Sequence, residues 1–212
     1  MIAWDWCKDQ SRLLLEFVWN AFDRLCDREF GHTPISAEDE AKEETLNFLM
    51  GLHIRRSMSG DEPFDIFFEV PEQTKRKRGR GKSPQPDLAF ILYEHPPTVW
   101  PIEAKVLKHG RDVGAYIKEI RDNFLTGRYA TFSSEGAMLG YLFGGDPSVT
   151  FECLVAKTGY SLRHHPAFVQ RNHKVSEHER TDLPHSNSPR SFSCHHLLFQ
   201  IVEDVTGAVA RP

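Results

Sequence analysis

The chain has 212 residues, 40% of them apolar and 26% charged, with a formal net charge of −4. That balance excludes a disordered tail and a uniformly basic nucleic-acid binder, so any attraction to phosphate must come from a local patch. No apolar run approaches the roughly 18 residues of a membrane span, and the length suits a single domain with a substantial core.

The opening "MIAWDWCKDQ" has Asp5 where a secretory leader would carry cations, so a cytoplasmic protein is expected. Cysteines stand at 7, 26, 153 and 194 with no CxxC pair, which predicts free thiols in a reducing compartment. Residues 8–26 place Leu14, Leu15, Val18, Phe22 and Leu25 at helical spacing. Trp4, Trp6 and Trp19 are expected to pack this helix onto the body or a partner subunit. "GHTPISAED" breaks the pattern. Ser36 with Asp39 resembles a helix start, and a second helix is predicted over 37–56.

"PFDIFFEV" (63–70), "PDLAFILY" (86–93) and "TVWPIEAKVL" (98–107) read as three strands in a meander. Between the first two lies "KRKRGRGK", with Lys75, Arg76, Lys77, Arg78, Arg80 and Lys82 in a stretch that reads as a loop. Val113, Tyr116, Ile117, Ile120 and Phe124 mark a helix that Gly127 would cap. "GAMLGYLFGG" (136–145) suits a strand covered on both faces. "VTFECLVAKTG" predicts a short helix, and 172–181 and 192–204 predict two strands around a loop. The adjacent pairs His164-His165 and His195-His196 are poor chelates, because neighbours on a strand point to opposite faces. Hydrogen-bonded histidines are the plainer expectation, with His178, Arg180 and His195 or His196 lining a polar pocket as the other.

Glu103 and Lys105 stand two apart within an apolar strand, so both point to one face. Such charges are costly there unless compensated. An antiparallel neighbour can bring Asp87 to the same face. Two close carboxylates repel, and a hard divalent cation with oxygen ligands relieves that repulsion. The carbonyl of Ala104 offers a further oxygen.

Pro86-Asp87 followed by Glu103-Ala104-Lys105 resembles the PD-(D/E)xK nuclease superfamily, and the element order over 37–145 is similar to that family's core. The resemblance implies an α/β, restriction-endonuclease-like mixed central sheet flanked by helices. It implies Mg²⁺ or Mn²⁺ held by Asp87 and Glu103, and Lys105 assisting water attack on a phosphodiester. Many members supply an acid from the helix before the first strand. Glu40, Glu43 and Glu44 are candidates, and Glu44 is chosen because it shares a side with Ala41 and Phe48. The resemblance implies nucleic acid as substrate, DNA before RNA.

"LTGRYA" (125–130), "GAMLGYL" (136–142), "SEHER" (176–180) and "CHHLLF" (194–199) are similar, more loosely, to small nuclease-like proteins of bacterial anti-phage defence operons. A small chain with no evident recognition domain points to an ATPase or sensor partner, or to a homo-oligomer. On this reading 1–36 is a helical extension, 37–145 the catalytic core and 146–212 a C-terminal elaboration. Basic residues 75–82 and Arg128 would hold phosphates, with a solvated linker and a helix-end cation as the plain alternatives. Two rival readings remain: a nuclease-fold subunit that binds without cutting, and an assembly protein whose ion pairs are structural.

Overall fold

The computed structural model describes residues 7–28, 39–69, 85–93, 97–181, 183, 185–203 and 209–210. Two helices, α1 (Cys7–Arg28) and α2 (Asp39–Ser57), precede three strands, β1 (Phe64–Phe68), β2 (Leu88–Leu92) and β3 (Thr98–Leu107). Helix α3 (Gly114–Glu119) runs on into a π-helical turn over Ile120–Phe124 and leads to β4 (Glu135–Leu142). Then come α4 (Pro147–Thr158), β5 (Arg163–His164), β6 (His173–Glu179), β7 (Ser191–Gln200) and a small hairpin of β8 (Val202–Glu203) with β9 (Val209–Ala210). The main sheet has seven strands in the order β1-β2-β3-β4-β7-β6-β5. The meander β1-β2-β3 is antiparallel, while β3-β4 and β4-β7 are parallel.

The chain is therefore α/β, with a mixed sheet flanked by helices. Alternation along the strands sorts the core into two layers. Trp100, Ile102, Ala104, Leu139, Tyr141 and Phe199 face α1 and α2. Leu107, Met138, Leu142, Phe192, Cys194 and Leu198 face α3 and α4. Strand β4 is buried from Gly136 to Leu142, as a strand covered on both faces must be. It stops at Leu142, short of 145, because Gly145 turns the chain at φ +102°. Strand β1 likewise ends at Phe68, with Glu69 in the left-handed region at φ 46°.

Helix α1 belongs to the core it was expected only to extend. Leu14, Leu15, Val18, Trp19, Phe22 and Leu25 are all buried in the same cluster as β3, β4 and β7. At roughly 1.5–3 kcal/mol per buried large apolar side chain, their sum rivals the whole net stability of a domain. Trp19 meets Phe199 edge to face at 4.9 Å, whereas Trp4 and Trp6 lie outside the described residues, as does Ser36. Strands β5, β6 and β7 add to the same sheet. Cys153 and Cys194 are free thiols, and among the described residues no helix is long and apolar enough to cross a membrane.

The histidines of the β6-β7 hairpin split between the two faces. On one, Trp19 Nε1 donates to His173 Nδ1 (3.4 Å), His173 Nε2 lies 3.2 Å from His195 Nδ1, and His195 Nε2 lies 3.4 Å from Glu135 Oε2. On the other, Tyr116 donates to Met138 O and stands 3.1 Å from His196 Nδ1. Ser176 Oγ then bridges His196 Nε2 (2.8 Å) and His178 Nε2 (2.6 Å). Each chain of bonds has one consistent set of tautomers, so these are satisfied core histidines rather than ligands. Arg180 does line a pocket, but with residues of the loop between β6 and β7, not with these histidines.

Burial pushes His196 down to about 3 from an ordinary 6.5. Below 6.5 the unfolded chain takes up a proton that the folded chain refuses, so this contribution is present at pH 7.5 and lost as the pH falls. The stability advantage of the wild type over His196→Asn should shrink by about 1.4 kcal/mol between pH 7.5 and 5.5, read from urea unfolding. An advantage independent of pH contradicts the assignment.

Candidate functional site

Strand β3 has ten residues and β2 only five, and their pairing ends at Leu88 opposite Ile102. Beyond that point the edge of β3 is open, and its backbone donors need other partners. Asp87 Oδ2 accepts from Ala104 N at 2.9 Å, and Glu43 Oε2 accepts from Val106 N at 3.1 Å. Two side-chain carboxylates thus replace the missing strand. Asp87 N in turn lies 3.4 Å from Glu103 Oε2. Asp87, Glu103 and Lys105 are brought together, as the alternation along β3 requires.

The Lys105 ammonium lies inside this group. It donates to Glu43 Oε1 (2.8 Å), Glu103 Oε1 (3.0 Å) and Ala104 O (2.6 Å). Glu103 is buried at 4% exposure. Burial first, and then the Asp87 charge, push Glu103 up to about 8, with Lys105 opposing. Burial likewise raises Asp87 to about 6 against Lys105 and the Ala104 N–H, while Glu43 and Glu119 add to the rise. For Lys105, burial works against the charge. Glu103, Asp87 and Glu43 more than offset it, so its proton is held more firmly than usual. One ammonium is set against several acids, and the site carries uncompensated negative charge.

The helix acid is a correction. Glu44 is exposed, and Phe48, taken as a marker of the inward side, is 58% exposed. The inward stripe of α2 is Leu46, Asn47, Met50 and Ile54, with Glu43 one turn before Asn47. Asn47 Oδ1 accepts from Tyr141 OH at 2.9 Å, which pins this face of α2 over β4 and points Glu43 at Lys105. Glu40 lies further out, in the first turn.

A second acid, Glu119, was missed. Its charge reaches both Asp87 and Glu103. It follows the buried Tyr116 by three positions at the edge of the apolar stripe of α3, and that spacing could have found it. Asn123, within the π-helical turn, donates Nδ2 to Glu119. Its own Oδ1 is buried with no hydrogen-bond partner among the described residues. The turn is closed by Leu125 N to Ile120 O at 2.9 Å. Gly136 leaves room for the Phe124 ring, which a Cβ there would meet at 2.7 Å. Gly127 ends the segment at φ +71°, as its place in the sequence requires.

Arg128 is half-buried just beyond, its backbone N–H bonded to Asn123 O at 2.9 Å. Its charge is felt by Tyr129, as are those of Glu103, Glu119 and Asp87. Lys75, Arg76, Lys77, Arg78, Arg80 and Lys82 lie outside the described residues.

The donor set is all oxygen: Asp87, Glu103 and the Ala104 carbonyl. That suits a hard cation such as Mg²⁺, which keeps several waters and takes few protein ligands. Among the described residues no group of three or more His, Cys, Asp or Glu side chains forms a ready cage. The acids are instead drawn onto Lys105 and the edge of β3. No family model matches the chain, and comparisons with curated proteins and with solved structures also found no match.

Proposed function

We propose that the chain is a metal-dependent nuclease that hydrolyses nucleic-acid phosphodiesters, with DNA as the preferred substrate. The observation that carries this reading is the convergence of Asp87, Glu103, Lys105 and the Ala104 carbonyl at the open edge of β3, with more negative charge than Lys105 neutralises. The order of helix, antiparallel meander, helix and parallel strand supports a restriction-endonuclease-like core of the PD-(D/E)xK type. A place in a bacterial anti-phage system, beside an ATPase or sensor subunit, rests on the looser resemblance alone.

Asp87, Glu103 and the Ala104 carbonyl would hold Mg²⁺ or Mn²⁺, which would supply Lewis-acid stabilisation of charge on the scissile phosphate. Lys105 is placed to orient the attacking water and to face charge developing on phosphate oxygens. Glu43 holds the ammonium in position, and Glu119 keeps the local field negative.

Plasmid incubated with Mg²⁺ or Mn²⁺ tests the reading: nicking or linearisation with the ion and none in EDTA supports it. Glu43→Gln should slow cutting by roughly tenfold or more, about 1.4 kcal/mol, while Glu44→Gln leaves it unchanged. One alternative is a subunit of the same fold that binds nucleic acid without cutting. Retarded mobility of the plasmid with no cutting, in either ion, would decide for it.

A further inference from the structure

A cavity of about 400 Å³ lies under the loop that joins β6 to β7. Among the described residues, Arg180, Thr181, His185, Ser186, Ser188 and Arg190 line it together with the apolar Leu183. It is a separate feature from the carboxylate site.

Arg180 is the largest fully buried side chain, at 2% exposure. Its guanidinium lies over the Phe192 ring, 4.8 Å from the centroid. Nε donates to Pro189 O (3.0 Å), Nη1 to Ala130 O (2.9 Å), and Nη2 to Ser133 O (3.1 Å) and Pro189 O. These bonds use four of the five N–H donors and only neutral carbonyls. Among the described residues no acid faces it, and burial alone accounts for its lowered pKa of about 10. The contrast with other cations is plain. Lys105 meets Glu43 and Glu103, Arg171 meets Asp23, and Arg55 meets Asp65.

A clamp between the segment 130–133 and Pro189 explains the carbonyl bonds. It does not explain Ser188, whose hydroxyl is buried at 7% exposure with no hydrogen-bond partner among the described residues. A buried hydroxyl left unbonded is destabilising unless a ligand or water satisfies it. Arg190 and His185, both exposed, bring further cationic capacity to the same cavity. Guanidinium and hydroxyl donors around a space of this size match the oxygens of a phosphate, and the volume falls within the range of small-ligand sites.

We infer that this cavity binds a phosphate ester, with Arg180, Arg190 and the Ser188 hydroxyl as the donors that hold it. The ester can belong to a free nucleotide or to a nucleic-acid backbone, and the chemistry of recognition is the same.

The full chain in EDTA, where the carboxylate site contributes no metal-held phosphate, is titrated with inorganic phosphate, adenosine 5′-monophosphate and a dodecamer of thymidylate, by calorimetry and by thermal midpoint. Saturable binding of at least one probe is expected. Arg190→Ala should weaken it at least tenfold and Ser188→Ala at least threefold. Arg190 is exposed, so its variant keeps the unliganded midpoint. Preference for the mononucleotide identifies a free ester, and preference for the dodecamer identifies the backbone. No saturable binding of any probe, or affinity untouched by both Arg190→Ala and Ser188→Ala, overturns the inference. Neither result depends on whether the chain cuts DNA.

Discussion

Lys105→Ala is expected to bind Mg²⁺ at least as tightly as the wild type and yet to cut at least about a hundredfold more slowly, the scale of losing one charge-stabilising donor. The reason is the dual placement of its ammonium. It lies 2.6 Å from Ala104 O and 3.0 Å from Glu103 Oε1, two of the oxygens proposed to hold an ion. Removing it frees those oxygens and removes the group facing the water and phosphate. Asp87→Ala should behave differently and lose both ion binding and cutting, because its carboxylate is one of the proposed ligands and also ties Ala104 N in place. Calorimetric Mg²⁺ titration beside a plasmid-cutting time course separates the two. If Lys105→Ala loses the ion and keeps its rate per bound ion, the role assigned to the lysine is wrong.

Glu103→Gln should make the metal-free protein more stable and the metal-loaded protein no more stable. Glu103 is buried beside Asp87 and holds its proton up to about 8. The folded state therefore binds a proton that the unfolded chain has released above 4.5, and the associated stability is lost as the pH rises through 8. A neutral amide of the same shape does not carry that penalty. In EDTA at pH 8 the gain should be about 2 kcal/mol, or roughly 4–8 °C in thermal midpoint for a chain of this size. Saturating Mg²⁺ should raise the wild-type midpoint by a similar amount, since an ion at a hundred times its dissociation constant contributes about 2.7 kcal/mol. The variant should not respond. A variant that melts earlier in EDTA, or that Mg²⁺ still stabilises, rules out Glu103 as a destabilising ligand.

Both expectations concern a place where local rules are broken, which is what a functional site does to a fold. A plain ion-paired surface would have matched charges and exposed partners. Here Glu103 is almost fully buried and the acids outnumber the ammonium, a cost that the proposed cation would offset.

Much of this architecture is written in local pattern. The apolar periodicity of residues 14–25 and the branched and aromatic runs at 64–68, 88–92 and 98–107 specify helix and strand because burial rewards one spacing in each. The same alternation puts Glu103 and Lys105 on one face whatever surrounds them. Long-range geometry decided the rest. Glu43 rather than Glu44 meets Lys105 because Tyr141, nearly a hundred positions away, sets the rotation of α2 through Asn47. Glu119 stands at the edge of the apolar stripe of α3 in the sequence, but its charge reaches the acids only through the packing of α3 against the sheet. Above all, the open edge of β3 exists because β2 is half as long. A strand's own sequence reports its length, but whether a partner runs beside it is settled only when the sheet assembles, and that difference turned Asp87 and Glu43 into its backbone partners.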